Sequence, residues 1–258
     1  MATPAPAAPA VPDGQTAEVV LEGRGLSKRF GGLHAVSDVD LTLRAGCVLG
    51  IIGPNGAGKS TVVNLLSGMY RADGGSVLLR GKDVSNHDLA ARSRCGLVRT
   101  FQHTKVLTSF TVGGAMELAV KSPRNRAAAR RGTVAALARD FGLAGVLHRD
   151  VRELPYGTQK VVNLALVALT SPVAVLLDEP FAGVTRSDID RLCEVIERLR
   201  AAGTAIGLVE HDMDTLMRLS TSVLVLDSGR LVTEGSPADV QADERVRRIY
   251  LGRRKGRS

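Results

Sequence analysis

The sequence predicts an α/β fold: a P-loop core with a mainly parallel sheet, an antiparallel β element at its N-terminal side, and a helical subdomain. Three observations predict it. The short apolar run Cys47 to Ile52 leads into a glycine-rich turn and then into Ser60 to Ser67, whose apolar residues recur at helical spacing. A second apolar run, Val173 to Leu177, ends in the paired acids Asp178 and Glu179. Beyond it, strand-length β-branched stretches alternate with a segment of helical period, the pattern that builds parallel sheets through right-handed crossovers.

In chain order, residues 1–17 are Ala/Pro-rich and lack the basic start and continuous apolar stretch of a secretory signal, so a disordered tail is expected. Val39, Leu41 and Leu43 alternate with Asp38, Asp40 and Thr42, which places the apolar side chains on one face of a half-buried strand. An antiparallel β element should therefore open the domain. The strand, loop and helix of 47–67 follow. Between about Gly113 and Asp150 the Ala, Arg and Leu content and the lack of strand runs predict helices, part of a lobe inserted at about 103–170. Ile189, Leu192, Val195, Ile196 and Leu199 give Ser187 to Arg200 a helical period, and Thr204 to Val209 and Val223 to Leu226 read as strands. No internal repeat is present. One domain over 18–252 with a basic tail at 253–258 is the expected organisation.

With 258 residues, 44% of them hydrophobic, the chain can bury one large core plus a helical lobe. Cys47, Cys95 and Cys193 are an odd number at unrelated spacings, without a CxxC pair, which suggests a reducing cytoplasm and neither a disulfide frame nor a zinc site. No run approaches the roughly 18 apolar residues that span a bilayer, so the chain is not expected to cross one itself. The formal charge of +8 fits either a well-solvated surface or an anionic partner. Aromatics at 3% and the lack of Trp argue against a base-stacking surface, and no nucleic-acid partner is expected.

Gly53, Pro54, Asn55, Gly56, Ala57, Gly58, Lys59, Ser60 and Thr61 fit the P-loop pattern in the strand–loop–helix setting it requires. Glycines let consecutive backbone N–H groups turn inward around a β-phosphate. The helix starting near Lys59 aims its unpaired N–H groups and positive dipole end at the same anion. Lys59 reaches the β- and γ-phosphates as a point charge, and the Ser60 hydroxyl ligates Mg²⁺. The acids at the end of the second strand stand at the mouth of a buried sheet. Neighbouring strand residues face opposite ways, so Asp178 is assigned to Mg²⁺ through water and Glu179 to the attacking water as general base.

Further motifs in fixed order resemble those of the ABC ATPases. They are Phe30 in Ser27-Lys28-Arg29-Phe30-Gly31-Gly32, Gln102 in Arg99-Thr100-Phe101-Gln102-His103, the segment Leu154-Pro155-Tyr156-Gly157-Thr158-Gln159-Lys160, and His211 in Glu210-His211-Asp212. The match runs from about Val19 to Gly252. The resemblance implies that Phe30 stacks on adenine, that Gln102 touches Mg²⁺ and the attacking water, and that His211 contacts the γ-phosphate. It also implies that Gly157 presents its N–H to ATP held by a second ATPase subunit, a homodimer partner or a sister chain.

The segment Leu154 to Lys160 departs from the family's commonest signature, Leu-Ser-Gly-Gly-Gln. Pro155 replaces the serine that donates to the γ-phosphate, and proline offers no donor from side chain or nitrogen. The usual Ser-Ala-Leu-Asp after the second carboxylate is Ala182-Gly183-Val184-Thr185 here. Together with Glu-His-Asp-Met at 210–213 and the closing Tyr250-Leu251-Gly252, these departures are similar to the ATPases of branched-chain amino acid uptake systems. That branch implies membrane permease subunits, a solute-binding protein acting through them, and a peripheral location on the cytoplasmic face of the inner (plasma) membrane. An exporter ATPase and a soluble non-transport ABC protein are the alternatives. The latter is disfavoured because the chain has neither a long coiled-coil insertion nor a tandem second unit.

Overall fold

Strands β1 (Val19–Phe30) and β2 (Leu33–Arg44) turn on Gly31-Gly32 and pair antiparallel, opening the domain as the sequence predicts. The computed structural model describes residues 17–100, 110–121 and 133–251. Residues 1–16 of the Ala/Pro-rich tail, the basic tail and Gln102 lie outside them. Along the chain follow β3 (Val48–Ile52), α1 (Lys59–Ser67), β4 (Gly74–Leu79), β5 (Lys82–Asp83), α2 (Leu89–Arg94), β6 (Leu97–Arg99), α3 (Val112–Val120), α4 (Val134–Asp140) and α5 (Tyr156–Leu169). Then come β7 (Ala174–Asp178), α6 (Arg186–Ala201), β8 (Ala205–Val209), α7 (Met213–Leu219), β9 (Ser222–Asp227), β10 (Arg230–Gly235), α8 (Pro237–Ala242) and α9 (Glu244–Leu251). No helix of the described residues is long and apolar enough to cross a membrane.

Two sheets result: an antiparallel one in the order β2-β1-β4-β5, and a central one in the order β10-β9-β3-β8-β7-β6. In the central sheet β3 runs parallel to β8 and β9, and β7 to β8 and β6, with β10 antiparallel at one edge. β3 and β8 are buried along their whole length, which is why they read as unbroken apolar runs and not as alternation.

The period of two decides which face each side chain serves. Val48 and Ile52 of β3, Val175 and Leu177 of β7, and Ile206 and Leu208 of β8 join the apolar cluster under α5 and α6. Leu49 and Ile51, Ala174 and Leu176, and Ala205 and Val209 join the opposite cluster, under α1 and the antiparallel sheet. By the same count Asp178 leaves β7 on the α1 side, in step with Ala174 and Leu176.

Helix α1 is fixed at both ends. Its N-cap Gly58 has φ 100°, and a Cβ there would stand 2.5 Å from the Ala35 carbonyl oxygen, so only glycine fits. At the other end the buried Arg92 donates from Nη1 to the Leu65 and Leu66 carbonyls at 2.6 and 2.7 Å and from Nε to the Val84 and His87 carbonyls at 3.1 and 3.0 Å. Burial pushes this guanidinium down to about 10, still cationic at neutral pH, and it faces the negative end of the α1 dipole.

The predicted helical stretch contains α3 and α4, each capped by a threonine side chain: Thr111 accepts from the Gly114 N–H and Thr133 from the Ala136 N–H. Met116 of α3, Ala138 of α4 and Val162 of α5 share the apolar cluster that continues under β7. The helices thus rest on the central sheet through α5.

Candidate nucleotide site

Because β3, β6, β7 and β8 are parallel, their C-terminal ends open on one edge of the sheet, where α/β proteins collect ligand-binding groups. β3 delivers the Gly53 loop, β7 the Asp178-Glu179 pair and β8 the Glu210-His211 pair, while β6 leads out through Thr100. The Thr100 N–H donates to the Leu176 carbonyl at 3.0 Å, so this exit also stays on the β7 edge.

Lys59 is only 7% exposed, and its Nζ donates to the carbonyls of Gly53 at 2.7 Å and Pro54 at 3.1 Å. Burial pushes its ammonium down, and the carboxylates of Glu179 and Asp178 pull it back up. Ser60 beside it in the first turn of α1 is exposed, as are Asn55 and Gly56, while Ala57 is buried and Thr61 half-buried. Burial pushes the Tyr250 phenol of α9 up, and a hydrogen bond with the Gly53 backbone pulls it back.

Asp178 Oδ2 accepts from Arg99 Nη2 at 3.0 Å, and Arg99 reaches on to the Asn64 side chain and to Ser67 Oγ on α1. Burial pushes the Asp178 carboxyl up, and the Arg99 guanidinium pulls it down. Asp178 Oδ1 is buried without a hydrogen-bond partner among the described residues. A buried carboxylate oxygen left over in this way is costly unless a cation or its water engages it. The donor set therefore fits Mg²⁺.

Glu179 sits just past the strand at φ 50°, a left-handed conformation rare outside glycine, with its N–H on the Val209 carbonyl at 2.9 Å. Its Oε1 lies 2.8 Å from His211 Nε2. Glu210, buried, completes a bridge by accepting from the His211 N–H at 2.9 Å and the Phe181 N–H at 2.6 Å. The ends of β7 and β8 are thereby locked together through one carboxylate.

Phe30 stands at the tip of the β1–β2 hairpin, 43% exposed, with the Tyr70 ring edge-on at 5.4 Å between centroids. The same hairpin braces the phosphate loop. Ser37 N–H donates to the Gly229 carbonyl at 2.8 Å and Gly229 N–H to the Ala57 carbonyl at 3.0 Å.

The signature helix α5 starts at Tyr156, one residue before Gly157, and Pro155 is its N-cap, with ψ 145° and no side-chain cap bond. Gly157 is buried, and a Cβ on it would fall 2.1 Å from Asp188 Oδ2 of α6. Only glycine allows α5 and α6 to start this close together. Arg99, Glu210 and Lys160 received no role from the sequence. Glu210 carries the same signal that singled out Asp178, an acid ending an apolar strand.

A P-loop at the end of β3, with a histidine after the neighbouring parallel strand β8, carboxylates at the end of β7 beyond it, and a helix whose first turn holds a buried glycine, defines an ATP-binding cassette. Residues 36–182 match the family model described as ABC transporter, and residues 230–255 match that of the branched-chain amino acid ATP-binding cassette transporter. The chain belongs to the ABC transporter ATP-binding family and is an ABC-type ATPase. It is 35% identical to the high-affinity branched-chain amino acid transport ATP-binding protein LivG of Salmonella typhimurium, over 90% of this chain and 98% of that protein. It is 32% identical to BraF of Pseudomonas aeruginosa, of the same description, over 90% of this chain and 98% of that one. Among solved structures it resembles the ADP conformation of an ATP-binding cassette of an ABC transporter, with TM-score 0.78 and 29% identity over 91% of this chain and 99% of that one.

Proposed function

We propose that the chain is the ATP-hydrolysing motor of an importer for branched-chain amino acids or related small polar solutes, docked as a peripheral subunit on permeases at the cytoplasmic face of the membrane. The observation that carries the mechanism is the Glu179–His211 contact of 2.8 Å at the mouth of β7, beside the buried Lys59. Two such chains, or this chain with a sister, close on two ATP molecules. The phosphate loop and Lys59 hold the β- and γ-phosphates, and Phe30 receives the adenine. Glu179 takes a proton from the water whose oxygen attacks the γ-phosphorus, and ADP departs in line. His211 orients that carboxylate and reaches the γ-phosphate. Ser60 and Gln102, with Asp178 acting through water, would hold Mg²⁺, which would neutralise charge on the phosphate oxygens. Loss of the γ-phosphate reopens the pair and lets the permeases alternate. We further assign 18–252 to one ATPase domain with its helical lobe at about 103–170. Neighbours named for branched-chain amino acid transport support import, with the solute itself read by the permeases and a solute-binding protein.

The signature start adds a prediction. A serine hydroxyl at the N-cap accepts from the helix and donates outward at once, which Pro155 does not. Pro155→Ser should therefore strengthen ATP-dependent dimerisation of the Glu179→Gln protein without permease, by about 1.5 to 3 kcal/mol, one charge-assisted hydrogen bond. The rival view has proline pre-setting a first helical turn, but the structure places it one position earlier, in the extended cap. Sedimentation with ATP and Mg²⁺ decides: a lower dimer fraction in the serine variant contradicts the prediction.

A further inference from the structure

We propose that Lys160 is a positioning residue that ties the start of α5 to the loop after Glu179, so that the signature turn and the catalytic carboxylate move as one unit. This rests on the ATPase reading above. Lys160 Nζ donates to the Pro180 carbonyl at 2.9 Å, to the Ala182 carbonyl at 2.8 Å and, at 3.4 Å, to the carbonyl of Glu179 itself. An ammonium has three protons, and these three carbonyls use them. The Tyr156 ring lies 5.2 Å from the same Nζ, a cation–π contact that fixes the lysine from the helix side.

Around this centre the start of α5 also comes close to Gly183 of that loop and meets the first turns of α6. Tyr156 Cε1 stands 3.5 Å from where a Cβ on Gly183 would be, Gly157 is pressed on Asp188, and Arg191 Nη1 donates to Thr158 Oγ1 at 3.5 Å. A left-handed glutamate persists only where its surroundings hold it. Here its N–H is held by Val209 and its carbonyl by Lys160. The α5 start faces ATP bound to the other subunit, whereas Glu179 serves the ATP of its own. A tie between them makes each base respond to closure over the neighbouring nucleotide.

The test compares full-length wild type, Lys160→Met, Lys160→Arg and Glu179→Gln. Lys160→Met should lower kcat about 10- to 100-fold, the scale of a small misplacement of a reacting group. ATP affinity should stay within about twofold, as should the dimer fraction in the Glu179→Gln background, because neither nucleotide contact is removed. Lys160→Arg, which keeps several donors, should recover most of the loss. If Lys160→Met does not fold by its melting curve, Lys160→Gln takes its place with the same expectation. A kcat within about twofold of wild type overturns the proposal, as does a loss matched by equal loss of ATP affinity or dimer. Wild type no more active than Glu179→Gln sinks the ATPase reading and the tie with it.

Discussion

Glu179→Gln is expected to lower ATP turnover about 10²- to 10⁴-fold, the usual contribution of a positioned general base, while ATP binding is retained. The amide keeps the shape of the side chain and an oxygen for His211, so the 2.8 Å contact has an isosteric replacement. What it loses is basicity toward the attacking water. The backbone of residue 179 is held independently by Val209 and Lys160, so the change should not release the strand end. ATP-bound dimers should accumulate because closure still occurs and its release does not. Steady-state hydrolysis and sedimentation with ATP and Mg²⁺ measure both effects. Normal turnover in the variant contradicts the assignment of the base.

Lys59→Ala should abolish useful nucleotide binding. The ammonium is buried, and burial favours its neutral form, so the protein maintains a charge there at a cost that Glu179 and Asp178 partly offset. Phosphate oxygens would replace the Gly53 and Pro54 carbonyls as its partners. Charge-assisted hydrogen bonds are worth about 1.5 to 3 kcal/mol each, so losing two corresponds to at least about 100-fold in affinity. Titration with a fluorescent ATP analogue reads this directly, and an affinity within about threefold of wild type would remove Lys59 from the phosphate site.

Much of this arrangement was legible in the sequence because short-range patterns encode it. The alternation at 38–43 and the unbroken runs at 48–52 and 205–209 fix strands with one or both faces buried, and the observed strands match. The glycines of the loop follow from local geometry alone, as does the facing of Asp178 with Ala174 and Leu176, whereas Glu179 lies past the end of β7 at φ 50°, so strand alternation does not set its direction. The fastenings around the site were not legible. Arg99 meets Asp178 across 79 residues of sequence, and Lys160 is satisfied by backbone carbonyls that no side-chain pattern announces. Gly157 was read as a nucleotide contact, and the structure adds a packing reason, the Asp188 carboxylate pressed against it.

The central claim, a Glu179-driven importer, is tested most directly in proteoliposomes holding this chain with its copurified permeases and solute-binding protein. ATP is supplied on the side of this subunit and radiolabelled leucine, isoleucine or valine on the other. The account predicts ATP-dependent accumulation of label on the ATP side, reduced at least about 100-fold by Glu179→Gln in line with the loss of its base. Movement of label away from the ATP side, or equal accumulation with the Glu179→Gln subunit, would contradict it.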